Sequence, residues 1–257
     1  YMPTLIACFK WVIDEAYIRR GSDGKLDLSA VDYKIGEYDR NAIEEAARLR
    51  DAGGGGSVIG ITVGTTEAAK GVKDGLSRGM DRAFFIADPD FRDLEPARTA
   101  AILAEVIQSR IPQYDLITCG EGSSDLYAQQ VGPRLAELLG IPCVAFVQKI
   151  TLGDGKIVAE RKVEEGTEVV SAPTPALVTV LPDINTPRIP GVKDTLMAGK
   201  KPVTTITKRD RPSMPEARLK TVDMKAARME RSCEKFGTDP GEIKKFIDAL
   251  VRKGVIR

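Results

Sequence analysis

Histidine is absent from all 257 residues of the sequence. It is the commonest general base, the commonest metal ligand and the usual partner of a serine or cysteine nucleophile. Its absence therefore disfavours hydrolase chemistry, which would have to proceed through carboxylates.

Cysteines are few and widely spaced. The four of them, Cys8, Cys119, Cys143 and Cys233, have neither the density of a secreted disulfide scaffold nor the C-x-x-C spacing of a metal site. We expect reduced, mostly buried thiols, with Cys119 and Cys143 packed inside, and no metal centre.

An excess of charge of one sign and long apolar runs are also missing. Lys and Arg total 38 and Asp and Glu total 37, so the net charge of +1 gives no long-range field for nucleic acid or an anionic membrane. No run approaches about 18 apolar residues, and the stretch YMPTLIACFKW lacks the basic and apolar regions of a signal peptide. We expect a cytoplasmic protein with no nucleic-acid partner and no direct membrane insertion.

The composition is ordinary for a folded domain with a sizeable core, with 42% apolar and 29% charged residues. Short apolar runs typical of strands alternate with segments of helical periodicity. The predicted strands are 4–12, 57–64, 82–88, 115–120 and 176–181, and the predicted helices are 37–53, 66–80, 94–110 and 130–140. This alternation predicts right-handed βαβ crossovers, and hence an α/β fold with a doubly wound, mostly parallel Rossmann-like sheet.

Two further segments complete the predicted fold. Residues 145–181 contain a Gly-Asp-Gly-Lys turn between two alternating runs, which predicts an extra antiparallel hairpin that extends or flanks the sheet. Closely spaced prolines after position 182 predict a C-terminal extended arm. The arm ends in an amphipathic helix, for which Thr238 or Asp239 is the predicted N-cap.

The loop after the predicted strand 115–120 reads GEGSSDLYAQQVGP and leads directly into a helix. Its glycines let the backbone turn sharply, and the free N–H groups at the start of the helix favour an anion such as phosphate. The alternative is that Ser124 or Asp125 only caps this helix. The loop lacks the G-x-x-x-x-G-K-[ST] pattern and the first strand is not followed by G-x-G-x-x-G, which disfavours ATP hydrolysis and an NAD-dependent dehydrogenase.

Six motifs in a fixed order resemble the beta (small) subunit of electron-transfer flavoproteins over about residues 4–210. They are CFKWVID at 8–14, GEYDRNAIEEA at 36–46, SRGMDRA at 77–83, GEGSSDLYAQQVGP at 120–133, KVEEGTEVV at 162–170 and NTPRIPGVKDTLMAGKKP at 185–202. The resemblance implies an electron carrier subunit rather than an enzyme, paired with an alpha subunit that holds most of a shared FAD. It also implies a partner flavin-dependent dehydrogenase, typically of the acyl-CoA type.

The same resemblance implies a nucleotide in this chain, over a nucleotide-binding domain predicted at 1–181. The nucleotide is AMP in family members that relay electrons, and a second FAD in members that bifurcate electrons from NADH in anaerobic metabolism. The long C-terminal region slightly favours FAD. Residues 182–257 are then a recognition loop, the arm and a C-terminal helix that packs on the partner subunit.

The residues carried over to the nucleotide site by position lie on the first predicted strand, at the entry of the first helix, after the second strand and in the loop after 115–120. These segments are expected to meet at one edge of the sheet, where a doubly wound sheet binds its ligands. They are Cys8, Gly36, Glu37, Tyr38, Asp39, Val63, Gly120, Glu121, Gly122, Ser123, Ser124, Asp125, Leu126, Tyr127, Ala128, Gln129, Gln130 and Val131. The resemblance gives the main phosphate contacts to Gln130, Asp125 and the amides of 128–131. Two features depart from the family, whose Asn-Pro pair is Gly36 and Glu37 here, and whose basic residue and glutamine after Gly120 are Glu121 and Gly122.

The resemblance also assigns partner docking to the segment 185–201. Val192 and Leu196 are its predicted apolar anchors, and Lys193, Lys200 and Lys201 form a charged rim. Without the resemblance, a proline-rich connector with solvated lysines is the simpler interpretation.

Three other features have simple structural interpretations. Trp11 is predicted to pack in the core rather than over a flavin or adenine ring. The acid pairs Glu44/Glu45 and Glu164/Glu165 are predicted to be solvated.

A second function remains open on sequence alone, a stand-alone adenine-nucleotide sensor of the universal-stress type. Such a sensor has no use for a long proline-rich extension with an unpartnered apolar helix, so that extension favours the carrier subunit.

Overall fold

The secondary structure of the chain is taken from a computed structural model, which describes residues 2–21, 24–210, 216, 218, 219, 221, 222 and 233–256. The helices in this part of the chain are α1 Glu37–Ala52, α2 Ala69–Ser77, α3 Pro96–Arg110, α4 Val131–Leu139, α5 Val192–Ala198 and α6 Pro240–Arg252. The strands are β1 Thr4–Cys8, β2 Trp11–Ile13, β3 Arg19–Arg20, β4 Leu26–Asp27, β5 Tyr33–Ile35, β6 Ser57–Gly64, β7 Arg82–Ala87, β8 Leu116–Gly120, β9 Cys143–Gly153, β10 Lys156–Val163, β11 Gly166–Pro173, β12 Ala176–Val180 and β13 Val203–Thr207.

A nine-stranded sheet with the order β11-β10-β9-β12-β8-β1-β6-β7-β13 organises the fold. Neighbouring strands are parallel except for β9 with β10 and β10 with β11, which are antiparallel. From β1 the chain moves outward to β6 and β7 on one side, and then returns to β8 on the other side of β1. The strand order therefore reverses between β1 and β8, and in open α/β sheets ligands bind at the carboxyl ends of the two strands that flank such a reversal.

Two hydrophobic cores lie on the two faces of the sheet. Successive residues of a strand point to opposite faces, and so Leu5 packs with the α1 and α2 side chains while Ile6 packs with those of α3 and α4. Helices on both faces confirm the prediction of a doubly wound, mostly parallel α/β fold. Trp11 packs against the first of these cores, as predicted, and a Cβ at Gly71 would lie 2.5 Å from its indole ring.

The predicted alternation of strands and helices is confirmed, with two differences in detail. The predicted strand 4–12 is broken, because the chain leaves the main sheet after Cys8 and β2 pairs instead with β5 in a separate two-stranded sheet. The predicted hairpin is confirmed and does extend the sheet, but it continues into a third antiparallel strand, β11.

The prediction of a continuous extended arm from position 182 is wrong. This segment contains α5 and also β13, which pairs in parallel with β7 from Val203 opposite Ala83 to Thr207 opposite Ala87. The prolines do not prevent this because they lie at element boundaries, where Pro202, for example, directly precedes β13 and accepts a hydrogen bond from the Ala83 N–H through its carbonyl (3.0 Å). The part of the arm after position 210 lies mostly outside the described residues.

The described residues fall into two compact units, one within 1–19 and 27–223 and the other within 20–26 and 224–257. In the second unit, α6 begins as predicted at an Asp239 N-cap, whose carboxylate accepts from the N–H groups of Gly241 and Glu242. Phe236 packs on Phe246 with ring centroids 5.5 Å apart. Several apolar side chains of α6 and the residues after it remain about half exposed, namely Ile243, Phe246, Ile247, Val251, Val255 and Ile256.

Candidate functional site

Three segments meet at the carboxyl ends of β1 and β8, where the strand order reverses. Lys10 follows β1, residues 36–39 begin α1, and residues 120–130 connect β8 to α4. The Asp39 carboxylate joins all three, because it accepts from the backbone N–H of Lys10 (2.8 Å) and from that of Gly120. Asp39 is therefore a structural link across the reversal point.

Burial gives Asp39 an unusual protonation equilibrium. Its side chain is almost fully enclosed, and desolvation raises its pKa to about 7 against the opposing effect of the Lys10 and Gly120 N–H groups. Beneath it, Cys8 and Cys119 are buried free thiols. A hydrogen bond with Cys8, burial and the nearby Asp39 charge raise the pKa of Cys119, so this thiol is unreactive at neutral pH.

The loop after β8 is fastened to the other two segments. Asp125 accepts a hydrogen bond from the Lys10 ammonium group at 2.6 Å, and the Ser124 hydroxyl accepts from the Glu37 N–H at 2.9 Å. Burial acts to raise the pKa of Asp125, but the charge and hydrogen bond of Lys10 outweigh it and hold this pKa below its ordinary value. Ser124 thus satisfies the first N–H of α1, not of α4, and the alternative that Ser124 or Asp125 caps the following helix is wrong.

The N-terminus of α4 has no side-chain cap. Its N-cap residue is Gln130, which makes no side-chain hydrogen bond to the helix backbone. Among the hydrogen bonds of the described residues, none has the N–H of Ala128, Gln129, Gln130 or Val131 as its donor. A helix N-terminus with unpaired, solvent-facing N–H groups favours an anion.

A cation that the sequence analysis missed lies one turn into α4. The Arg134 Nε donates to the Gln130 Oε1 at 3.1 Å, which places the guanidinium group beside the uncapped amides. The spacing of four residues between Gln130 and Arg134 on a helix was the available signal. On the inner side of the helix, a Cβ at Gly132 would lie 2.6 Å from the Thr179 methyl group, so this glycine lets α4 approach the sheet closely.

The remaining predicted site residues lie in the same loop, at the start of α1 or on a neighbouring strand. Tyr38 and Tyr127 form a ring pair with centroids 5.5 Å apart, and the Tyr127 hydroxyl donates to the buried Glu121 at 2.5 Å. That hydrogen bond is the main reason that the pKa of Tyr127 is raised to about 12. Leu126 is exposed on the surface of the loop, and Val63 is half-buried near the carboxyl end of β6.

The predicted docking residues lie on and after α5. Val192 and Leu196 are 81% and 69% exposed, and Lys193 and Lys200 are also exposed. Lys201 differs from them because its ammonium group turns inward and donates to the carbonyl oxygens of Leu76 (2.8 Å) and Met80 (2.6 Å). Burial lowers the pKa of Lys201.

A polar clamp ties the chain before α5 to α1. Arg188 donates to Glu44 through its backbone N–H (3.1 Å), its Nε (2.7 Å) and its second terminal nitrogen (3.2 Å). Asn185 exchanges hydrogen bonds with Asn41 and donates to Glu45 at 2.9 Å. The prediction that Glu44 and Glu45 are solvated is therefore wrong, since both are buried against a segment 140 or more positions away in sequence.

Two other expectations concern side-chain burial. Glu164 and Glu165 are exposed, as predicted. Cys143 was predicted to pack inside and is exposed, because it begins β9 directly after the short turn from α4.

The fold and site define a doubly wound α/β protein with an uncapped helix N-terminus at the point where its strand order reverses. A model of the electron transfer flavoprotein domain matches residues 23–211, and the chain belongs to this family. Proteins with this domain are flavin-associated electron carriers rather than enzymes.

The described residues contain neither a candidate membrane-spanning helix nor a candidate metal-binding cluster. No helix in the described ranges is long and apolar enough to span a membrane. In the same part of the chain, no group of three or more Cys, Asp and Glu side chains is arranged to hold a metal ion.

Proposed function

We propose that this chain is the beta subunit of a heterodimeric electron-transfer flavoprotein, which binds an adenine nucleotide and passes electrons between a flavin-dependent dehydrogenase and an acceptor. The observation that carries the proposal is the set of unpaired amides at 128–131, placed at the strand-order reversal of a chain that belongs to the electron transfer flavoprotein domain family. The arrangement supports a nucleotide phosphate at the N-terminus of α4.

The charges around the amides favour a small phosphate group. Arg134 supplies a cation beside Gln130, and the Lys10 ammonium group lies within the same loop cluster, although Asp125 neutralises it at 2.6 Å. Asp125 and Glu121 add negative charge to the loop, which argues against a polyphosphate without a metal ion. AMP and the diphosphate of a second FAD both fit this description, and with the second FAD the heterodimer would bifurcate electrons from NADH.

The exposed side chains of α5 support docking to a dehydrogenase. Val192 and Leu196 present apolar groups to solvent, and the exposed Lys193 and Lys200 flank them. The clamp between Arg188 and Glu44 holds the start of this segment on α1. Lys201 is not part of the proposed docking surface because its ammonium group is engaged by the carbonyls of Leu76 in α2 and of Met80 after α2.

The apolar stripe of α6 supports assembly with an alpha subunit that shares the redox FAD. Four of its side chains, Ile243, Phe246, Ile247 and Val251, are 45–50% exposed, which is unusual for a helix that faces only water. Burial on a partner chain would remove this surface from solvent at a gain of about 25 cal/mol per Å².

Co-expression with an alpha subunit of the family tests the assembly. We expect the two chains to purify as a yellow one-to-one complex that contains bound flavin. The double substitution Phe246→Glu and Ile247→Glu should prevent co-purification, and the matched control Lys244→Glu, a charge change at an exposed position of the same helix, should not. A colourless chain that remains monomeric beside every alpha subunit tried would contradict the proposal.

A further inference from the structure

Two tyrosines from different elements form an aromatic surface beside the uncapped amides. Tyr38 is in the first turn of α1 and Tyr127 is in the loop after β8, and their ring centroids are 5.5 Å apart with an interplanar angle of 44°. Tyr127 keeps 44% of its surface exposed. Part of the aromatic pair is therefore open to solvent, within the same loop that carries the amides of 128–131.

The structure holds Tyr127 in one orientation instead of burying it. Its φ of 48° is in the left-handed region, where a bulky side chain is strained and persists only when its contacts enforce it. Two hydrogen bonds do so here, from the Tyr127 N–H to the Ser123 carbonyl (2.9 Å) and from its hydroxyl to Glu121 (2.5 Å). Glu121 is only 8% exposed, so the loop buries a carboxylate in order to orient a ring that remains half exposed.

Both glycines of the Gly-Glu-Gly turn are needed for this arrangement. A Cβ at Gly122 would lie 2.7 Å from the Tyr127 ring, and a Cβ at Gly120 would lie 2.7 Å from the Tyr38 Cβ. Neither glycine has a positive φ, so the reason for each is space: Gly122 makes room for the Tyr127 ring, and Gly120 makes room for Tyr38 and for the Asp39 Oδ1, which is also 2.7 Å away. The local sequence thus accommodates two aromatic side chains at the carboxyl end of β8.

We propose that Tyr38 and Tyr127 form the surface on which the adenine base of the bound nucleotide stacks, with Glu121 as the residue that positions Tyr127. The inference rests on the proposed function, because a phosphate on the amides of 128–131 brings the nucleotide next to Tyr127. Tyr127 and Gln130 are three positions apart, and so their Cα atoms are at most about 11 Å apart. AMP and FAD both contain adenine, so the inference applies to either nucleotide.

If a base stacks on an aromatic side chain, loss of the ring weakens binding of a ligand that contains the base. Binding of a ligand that has only the sugar and phosphate is not affected. We therefore compare the affinity of the full chain, freed of nucleotide, for AMP and for ribose 5-phosphate, which lacks the base. Tyr127→Leu should weaken AMP binding about tenfold and leave ribose 5-phosphate binding unchanged. Tyr127→Phe keeps the ring but loses the hydrogen bond to Glu121, so we expect an AMP affinity between those of the wild type and Tyr127→Leu. Tyr17→Leu is a matched control at a tyrosine that is 46% exposed.

The outcomes separate the inference from the proposed function. Equal AMP affinity in the wild type and Tyr127→Leu would overturn the stacking inference while leaving the nucleotide site intact. An equal loss for AMP and ribose 5-phosphate would also overturn it, because Tyr127 would then only hold the loop. If the wild-type chain binds neither AMP nor FAD, the proposed function fails together with the inference. Thermal unfolding of each variant verifies that it is folded.

Discussion

At the scale of single residues, Asp39 connects the ends of β1, α1 and β8 through one carboxylate. The resemblance placed Asp39 in the nucleotide site, but the sequence held no signal for its burial. Its hydrogen-bond donors are backbone N–H groups of residues 29 and 81 positions away, and any residue type can supply those. The burial of Glu44 and Glu45 could not be predicted for the same reason, since their hydrogen-bond donors come from a segment that is distant in sequence.

The buried Asp39 should make stability depend on pH. Its pKa is raised from 3.8 to about 7 in the folded chain, so the folded state holds a proton that the unfolded state has lost between these values. The stabilising contribution of this proton is therefore present at low pH and is lost as pH rises through about 7. Relative to Asp39→Asn, the wild type should lose roughly 2.5 kcal/mol of unfolding free energy between about pH 5 and pH 8.

Urea unfolding of both proteins at the two pH values measures this difference directly. The two proteins share all their other titratable groups, so the contributions of those groups cancel in the difference between the two unfolding free energies. A difference that stays constant across the range would show that Asp39 is not protonated in the folded chain at neutral pH.

Gly120 should tolerate no side chain. A Cβ there would lie 2.7 Å from the Tyr38 Cβ and 2.9 Å from the Tyr38 carbonyl carbon, so the backbone must move. We expect Gly120→Ala to lower the unfolding free energy by about 2 kcal/mol. The matched control Gly153→Ala meets no atom within 4 Å and should change it by less than about 0.5 kcal/mol. Chemical denaturation measures both, and equal effects would contradict the packing account.

At the scale of elements, hydrophobic periodicity located β1, β6, β7, β8 and β12 and the helices α1 to α4. It missed β3, β4 and β5, which are only two or three residues long. It missed α5 and β13 because a dense run of prolines predicts irregular chain, and the positions of those prolines at element ends can be judged only from the fold. It also missed the departure of β2 from the main sheet, since residues 5–12 are apolar apart from Lys10. The turn between β8 and α4 could be predicted because its glycines and small polar residues are typical of a strand-to-helix turn.

The clamp between α1 and the chain before α5 should behave as a coupled ion pair. Arg188→Ala leaves Glu44 buried without its partner, and we expect a loss of about 2 kcal/mol of unfolding free energy. Adding Glu44→Gln to this variant removes the unpaired charge and should restore part of that loss. Thermal denaturation of the two single variants and the double variant measures the coupling, and strictly additive effects would contradict the clamp.

The surface of α5 should matter for docking and not for folding. Leu196→Asp places a charge on a side chain that is 69% exposed, so we expect less than about 0.5 kcal/mol change in stability. Electron transfer from a flavin-dependent acyl-CoA dehydrogenase to the heterodimer should fall at least about tenfold, because an apolar anchor is lost. Val169→Asp, at a 70% exposed position of β11, is the matched control. Equal transfer rates for the wild type and Leu196→Asp would contradict docking through α5.

At the scale of the whole molecule, the strand-order reversal, the loops around it and α1 form one continuous arrangement. The sheet reverses its strand order between β1 and β8, three segments are hydrogen-bonded to one another at that point, and α4 offers unpaired amides there. α1 runs from this site to the clamp that holds the chain before α5. The proposed nucleotide site thus lies at one end of α1, and the proposed docking segment is held further along the same helix.

The most direct test of the central claim is to identify, by mass and absorbance, the nucleotides that the denatured heterodimer releases. The account predicts two nucleotides per heterodimer, the shared FAD and one adenine nucleotide from this chain. One FAD with one AMP would indicate a simple relay of electrons, and two FAD would indicate bifurcation. Release of a single FAD, with no adenine nucleotide attributable to this chain, would contradict the account.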